Sequence, residues 1–223
     1  MGKMIEITAS DGFKLAAYRA DPAGKPKGGV VVLQEIFGAN AHIRAVADHA
    51  AAAGYLAIAP ALFDRAERGV DWGYTDDTMK QGMGMVGKIA PEDTLKDVQA
   101  ALGTAHEGGK AGIVGFCWGG SLAWVAAAQM PGLDAAVGYY GGRIPSMNAM
   151  QPKAPIILHF GENDQGIPMA GVRDVEAAHP NVPIYVYPAG HAFNRDADPT
   201  KYHAASAKLA WERTLAFLGE KLA

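Results

Sequence analysis

Cysteine is almost absent from this chain: Cys117 is the single one among 223 residues. No internal disulfide can form, which fits a reducing compartment and leaves one thiol to be explained. Charge of one sign is equally scarce. With 20 Lys and Arg against 23 Asp and Glu, the net charge is −3, which gives no basic footprint for nucleic acid or an anionic membrane surface. Long apolar runs are missing too. None approaches the roughly 20 residues of a membrane span, and the first nine residues lack the apolar core of a secretory signal, so the expected location is the cytoplasm. Linkers, repeats and low-complexity tracts are absent, and residues 1–223 are expected to form one domain, monomeric or weakly self-associating. The seven histidines show no metal-ligand spacing, so neither a metal nor a cofactor is expected.

What is present is an apolar fraction of 49% arranged in an alternating rhythm. Residues 4–8 and 13–19 flank the turn signal Ser10-Asp11-Gly12 and predict a hairpin. The run GVVVL at 29–33 is apolar and β-branched without alternation, the pattern of a central strand covered on both faces. An alanine-rich helix over 41–53, stopped by Gly54, leads to a second buried strand at 55–59. Pro91, Glu92 and Asp93 suit the first turn of a helix reaching about residue 104, because proline tolerates that turn and acids complement its dipole. Strands follow at 111–116, 135–140, 156–160 and 184–187, with a helix over 119–130. A terminal helix carries Trp211, Leu215, Leu218 and Leu222 on one stripe. Alternation of this kind predicts an α/β fold with a mostly parallel sheet and helices on both faces. Residues 61–90 are rich in glycine, acid and methionine with little periodicity, and read as a functional loop or cap. The string GMGMVG at 82–87 imitates a dinucleotide-binding fingerprint, but no strand precedes it.

The chemistry gathers at Gly115-Phe116-Cys117-Trp118-Gly119, which follows a strand and opens a helix. This is the context of a nucleophile elbow, with cysteine in the serine position. Small residues two before and two after relieve crowding at a strained turn. The helix N-terminus beneath favours a thiolate and an oxyanion on the Trp118 N–H. Ser121, four residues on and inside the helix, has no such turn. An elbow needs an acid and then a histidine after later strands. Asp164, in the loop after the strand ending at Phe160, and His191, in Pro188-Ala189-Gly190-His191, hold those places. Glu162 rivals Asp164 for the acid. His159, inside a strand, reads as a core histidine.

Several motifs together resemble the dienelactone hydrolase family of the α/β-hydrolase superfamily: Gln34-Glu35-Ile36-Phe37-Gly38, Ala59-Pro60, GFCWGG at 115–120, GENDQGIP at 161–168 and GHAFNR at 190–195. The resemblance implies an α/β-hydrolase fold, a triad of Cys117, Asp164 and His191, and a covalent acyl-enzyme. It implies further that Glu35 is an internal carboxylate that interacts with the thiol and takes its proton when substrate binds. Backbone N–H groups of Ile36 and Trp118 would form the oxyanion hole, and Arg195 would bind a substrate carboxylate. The expected substrate is a small ester or lactone, carboxylate-bearing if Arg195 is so used. A second positive group for that carboxylate is not fixed by any motif; Arg65, Arg68 and Lys80 are available in the 61–90 segment. On the residues alone two other functions stay open: a non-catalytic binding or thiol redox-sensing protein on the same scaffold, and a general carboxylesterase with an unrelated substrate.

Overall fold

A computed structural model describes residues 2–223. The opening hairpin pairs β1 (Lys3–Thr8) with β2 (Lys14–Ala20) antiparallel. The buried runs then form β3 (Gly29–Leu33) and β4 (Leu56–Pro60), every residue of which is buried. Next come β5 (Ala111–Phe116), β6 (Ala135–Tyr139), β7 (Ile156–Gly161) and β8 (Ile184–Tyr187). They make one eight-stranded sheet in the order β1-β2-β4-β3-β5-β6-β7-β8. β3 to β8 run parallel, and β2 joins β4 antiparallel. Fully burying Val30, Val31, Val32 and Leu33 stabilises the centre by roughly 1.5–3 kcal/mol per side chain.

The helices cover the sheet as expected. α1 (Ala41–Ala52) is capped by the Asn40 side chain, which accepts from the Ile43 N–H, and the chain leaves it through Gly54 at φ 103°. In the terminal helix, residues Ala204–Lys221, Leu218 and the following Leu222 are buried, while Trp211 and Leu215 are half-buried against the core. Its Thr214 is also fully buried and bonds the Tyr139 hydroxyl at 2.7 Å. None of the helices of the described residues is long and apolar enough to cross a membrane.

Two helices lie where no helix was expected. α2 (Asp76–Val86) crosses the 61–90 segment; Thr75 and Thr78 cap it reciprocally, and Asp76 and Asp77 occupy its first turn. That capping signal is in the sequence, but the glycines of GMGMVG obscure it. Gly82 is explained by packing, because a Cβ there would lie 1.9 Å from the Ile36 carbonyl oxygen. α2 therefore rests directly on the loop after β3. α3 is the expected helix Pro91–Ala105, and α4 is Trp118–Gln129. The second unexpected helix, α5 (Met169–Ala178), buries only Val172 and Val175, a stripe too narrow to stand out. The terminal helix is α6.

Candidate active site

Parallel strands in register align their carboxyl ends, and the loops leaving those ends meet on one edge of the sheet. Leu33 pairs with Gly115, Phe116 with Tyr139, Tyr139 with His159, and Gly161 with Tyr187. Glu35, Cys117, Asp164 and His191 each lie within four residues of one of these ends. Strand alignment thus assembles groups that are remote in sequence.

Cys117 has φ 54° and ψ −110°, a left-handed region that a non-glycine residue occupies only under constraint. The constraint is visible. A Cβ on Gly115 would stand 1.9 Å from the Gly119 carbonyl oxygen, and one on Gly119 would stand 2.5 Å from that of Leu33. The Gly119 N–H donates to the Gln34 carbonyl at 3.0 Å, tying the elbow to the loop carrying Glu35 and Ile36. Trp118 is the first residue of α4, so its N–H has no acceptor within the helix and is free for an incoming oxygen. Ser121 is committed elsewhere, accepting from the Arg143 N–H at 3.1 Å.

His191 Nδ1 lies 2.7 Å from Asp164 Oδ2, and Asp164 Oδ1 accepts from the Gly166 N–H at 2.8 Å. Asp164 is buried whereas Glu162 is exposed, so Asp164 is the acid that meets the histidine. Burial opposes a charge on His191. The Asp164 carboxylate and Cys117 outweigh it and push the imidazole pKa up to about 10. A ring held this way has its Nδ1 fixed by the acid and its other nitrogen available for proton transfer.

Glu35 is buried, and both its oxygens are occupied: Arg195 Nε donates to Oε2 at 3.0 Å and Nη2 to Oε1 at 2.9 Å. Arg195 is itself buried, reaches Asp198 at 3.3 Å, and lies 4.1 Å from the centre of the Tyr74 ring. The guanidinium expected to meet a substrate carboxylate is paired with Glu35 in this structure. A buried carboxylate is costly unless paired, and Arg195 supplies the counter-charge to Glu35. Correspondingly, Glu35 is braced by Arg195, with no hydrogen bond to the Cys117 thiol among the described residues.

The family's sequence profile matches residues 15–222. The chain belongs to the dienelactone hydrolase family. A Pseudomonas putida protein named "Carboxymethylenebutenolidase" is 33% identical over 96% of this chain and 94% of its own length. An Escherichia coli (strain K12) protein named "Putative carboxymethylenebutenolidase" is 37% identical, over 92% of this chain and 82% of its own. The solved structure of a Klebsiella pneumoniae protein, titled "Putative Dienelactone Hydrolase", superposes with a TM-score of 0.81 at 33% identity, covering 96% and 98% of the two chains. The fold is thus the α/β-hydrolase fold. This dienelactone hydrolase-like protein is a carboxylic-ester hydrolase with a small-molecule ester substrate.

Other candidate groups of this dienelactone hydrolase relative are held by partners of their own or lie exposed. Arg65 is spent on Asp97 and Asp11, and Arg68 donates to the Lys14 carbonyl. His159 is fully buried between the Tyr187 hydroxyl at 2.8 Å and Thr214 at 3.2 Å, and burial, with Arg213 nearby, lowers its pKa to about 3. Lys80 is exposed on α2. No group of three or more metal-ligating side chains occurs among the described residues. A cavity of about 290 Å³ beside Trp118 is bounded by Val86, Ile89, Leu122, Met147 and Met150, with Arg143 also lining it. Sequence reading passed over Tyr74, which α2's approach brings against Arg195, and Tyr140, which follows β6. Only the latter had a signal, its place at a strand's carboxyl end.

Proposed function

We propose that this hydrolase cleaves a small ester or lactone through Cys117, with His191 as base and Asp164 as its orienting acid. The observation that carries the reading is the elbow conformation of Cys117 together with the 2.7 Å His191–Asp164 bond. In the first step the Cys117 thiol gives its proton to Glu35 and the sulfur attacks the acyl carbon, and the carbonyl oxygen takes the negative charge toward the N–H groups of Trp118 and Ile36. Collapse of that intermediate breaks the bond to the leaving oxygen, which takes a proton from His191. His191 then removes a proton from water, the resulting hydroxide attacks the thioester, and the acid product leaves as the expelled Cys117 thiolate takes its proton back from Glu35.

Glu35 acts from its position beside the elbow. At rest it is neutralised by Arg195, so it can accept the thiol proton only when that pair opens. A substrate carboxylate competing for Arg195 is the natural trigger, and it couples a preference for acidic substrates to activation of the thiol. The apolar cavity beside Trp118 supports room for an uncharged part of the substrate. The protein works in the cytoplasm as a monomer or weak homo-oligomer under this reading.

Turnover of an aryl ester and of an acidic lactone by wild type and Cys117→Ala tests the proposal. Activity is expected to disappear with the fold intact, and Cys117→Ser is expected to be much weaker than wild type. Wild-type turnover by Cys117→Ala rejects the nucleophile; no turnover of any ester by wild type, with ready sulfenylation of Cys117, would favour a redox sensor.

A further inference from the structure

Among the described residues, three non-glycine residues have positive φ: Cys117 at 54°, Ala192 at 61° and Tyr140 at 37°. The first is the nucleophile of the reading above, and the second adjoins His191. Strain of this kind persists where surrounding structure enforces it and clusters at functional sites. Tyr140 thus belongs to the same construction, although neither the triad nor the oxyanion hole uses it.

Its side chain adds a second anomaly. Tyr140 is fully buried, yet its hydroxyl has no hydrogen-bond partner among the described residues. A buried phenol without a partner is a standing cost that phenylalanine would avoid. The backbone around it is fixed: the Tyr140 N–H donates to the His159 carbonyl at 2.7 Å, and the Cys117 N–H donates to the Tyr139 carbonyl at 3.0 Å. Its ring centre lies 5.1 Å from that of His191 and 5.4 Å from that of Phe193. The titratable groups facing it are Glu35 from the loop after β3, Cys117 at the elbow, Tyr139 of β6, and His191 and Arg195 from the loop after β8.

We propose that Tyr140 is the hydrogen-bond donor that receives the Cys117 sulfur as it ionises, a positioning residue for the thiolate. Glu35 and Cys117 are the neighbouring groups of the site whose negative charge bears on the phenol. At rest Glu35 is held by two charged hydrogen bonds to Arg195, and it is neutral once it has taken the thiol proton. The sulfur that has lost that proton carries the charge. Burial, reinforced by the Glu35 charge, holds the phenol proton far above its ordinary range, so the hydroxyl donates and does not compete for the negative charge. Thiolate stabilisation then adds to the α4 N-terminus and the imidazolium.

The inference rests on Cys117 as the reactive group, but its test needs no hydrolysis. Alkylation of Cys117 by iodoacetamide is measured across pH in the full chain carrying Tyr140→Phe. Loss of the donor should raise the apparent thiol pKa by about one unit, slowing alkylation at neutral pH about tenfold. The thermal midpoint should hold or rise, and kcat should fall more than KM changes. A second protein with difluorotyrosine in place of Tyr140 presents a stronger donor and should shift the titration the opposite way. An unshifted titration in the two proteins overturns the proposal whatever the turnover, and so does a lowered midpoint with an unshifted titration. Failure of Cys117→Ala to abolish hydrolysis would reject the nucleophile and leave this thiol titration still decisive for Tyr140.

Discussion

Removing the guanidinium from the Glu35–Arg195 pair should weaken the fold sharply, because it strands a carboxylate in the interior. Side-chain exposure is 1% for Glu35 and 7% for Arg195, and the bonds are 3.0 and 2.9 Å. Arg195→Met keeps most of the side-chain volume and deletes the charge. Stranding one partner of a buried pair typically costs about 3–5 kcal/mol. For a chain of this size each kcal/mol moves the thermal midpoint by roughly 2–4 °C, so a fall of about 6–20 °C is expected. Glu35→Gln in the same protein should restore much of the loss, giving a coupling of about 2 kcal/mol or more in a double-mutant cycle. Urea unfolding at neutral pH, followed by circular dichroism, measures all four corners. A loss below about 1 kcal/mol for Arg195→Met, or additive losses, would refute the reasoning, since additivity means that neither charge depends on the other. Turnover of the same variants separates bracing from recognition. A parallel fall on an acidic lactone and its neutral methyl ester marks Arg195 as a brace alone, whereas selective loss on the acidic substrate shows that Arg195 leaves Glu35 for substrate.

Asp164→Asn should lower kcat on the order of 10³-fold or more with little change in KM, because the amide no longer fixes the imidazole tautomer. Activity within tenfold of wild type would mean that another group orients His191. His159 makes a separate prediction about acid stability. Its folded pKa of about 3 lies below the unfolded value of about 6.5, so the unfolded chain binds the extra proton between them. Stability from this group is intact above that upper value and is lost as pH falls toward the lower one, at about 1.4 kcal/mol per unit. Denaturant midpoints from pH 7 to pH 4 should therefore fall less steeply in His159→Gln, and an unchanged slope would show that His159 is not the group titrating.

What the sequence settled by itself is the part encoded over a few neighbouring residues. GVVVL at 29–33 could only be a doubly covered strand, since every side chain is apolar and none alternates. Gly115 and Gly119 flank Cys117 because the crossing of strand and helix leaves no room for a Cβ, and that requirement is local. The order of Cys117, Asp164 and His191 was legible because each follows the end of its own apolar strand. Helices α2 and α5 were not. The glycines of α2 argue against a helix until Gly82 is seen lying on the Ile36 carbonyl, and α5 hides because it buries two side chains. Only the tertiary structure chose Asp164 over Glu162, by burying one and exposing the other on the same loop. It alone joined Arg195 to Glu35, 160 residues away, and left the Tyr140 hydroxyl buried without a partner among the described residues. Such partnerships follow from the register of β3, β5, β6 and β8 across one sheet, and no window of sequence contains both members of a pair.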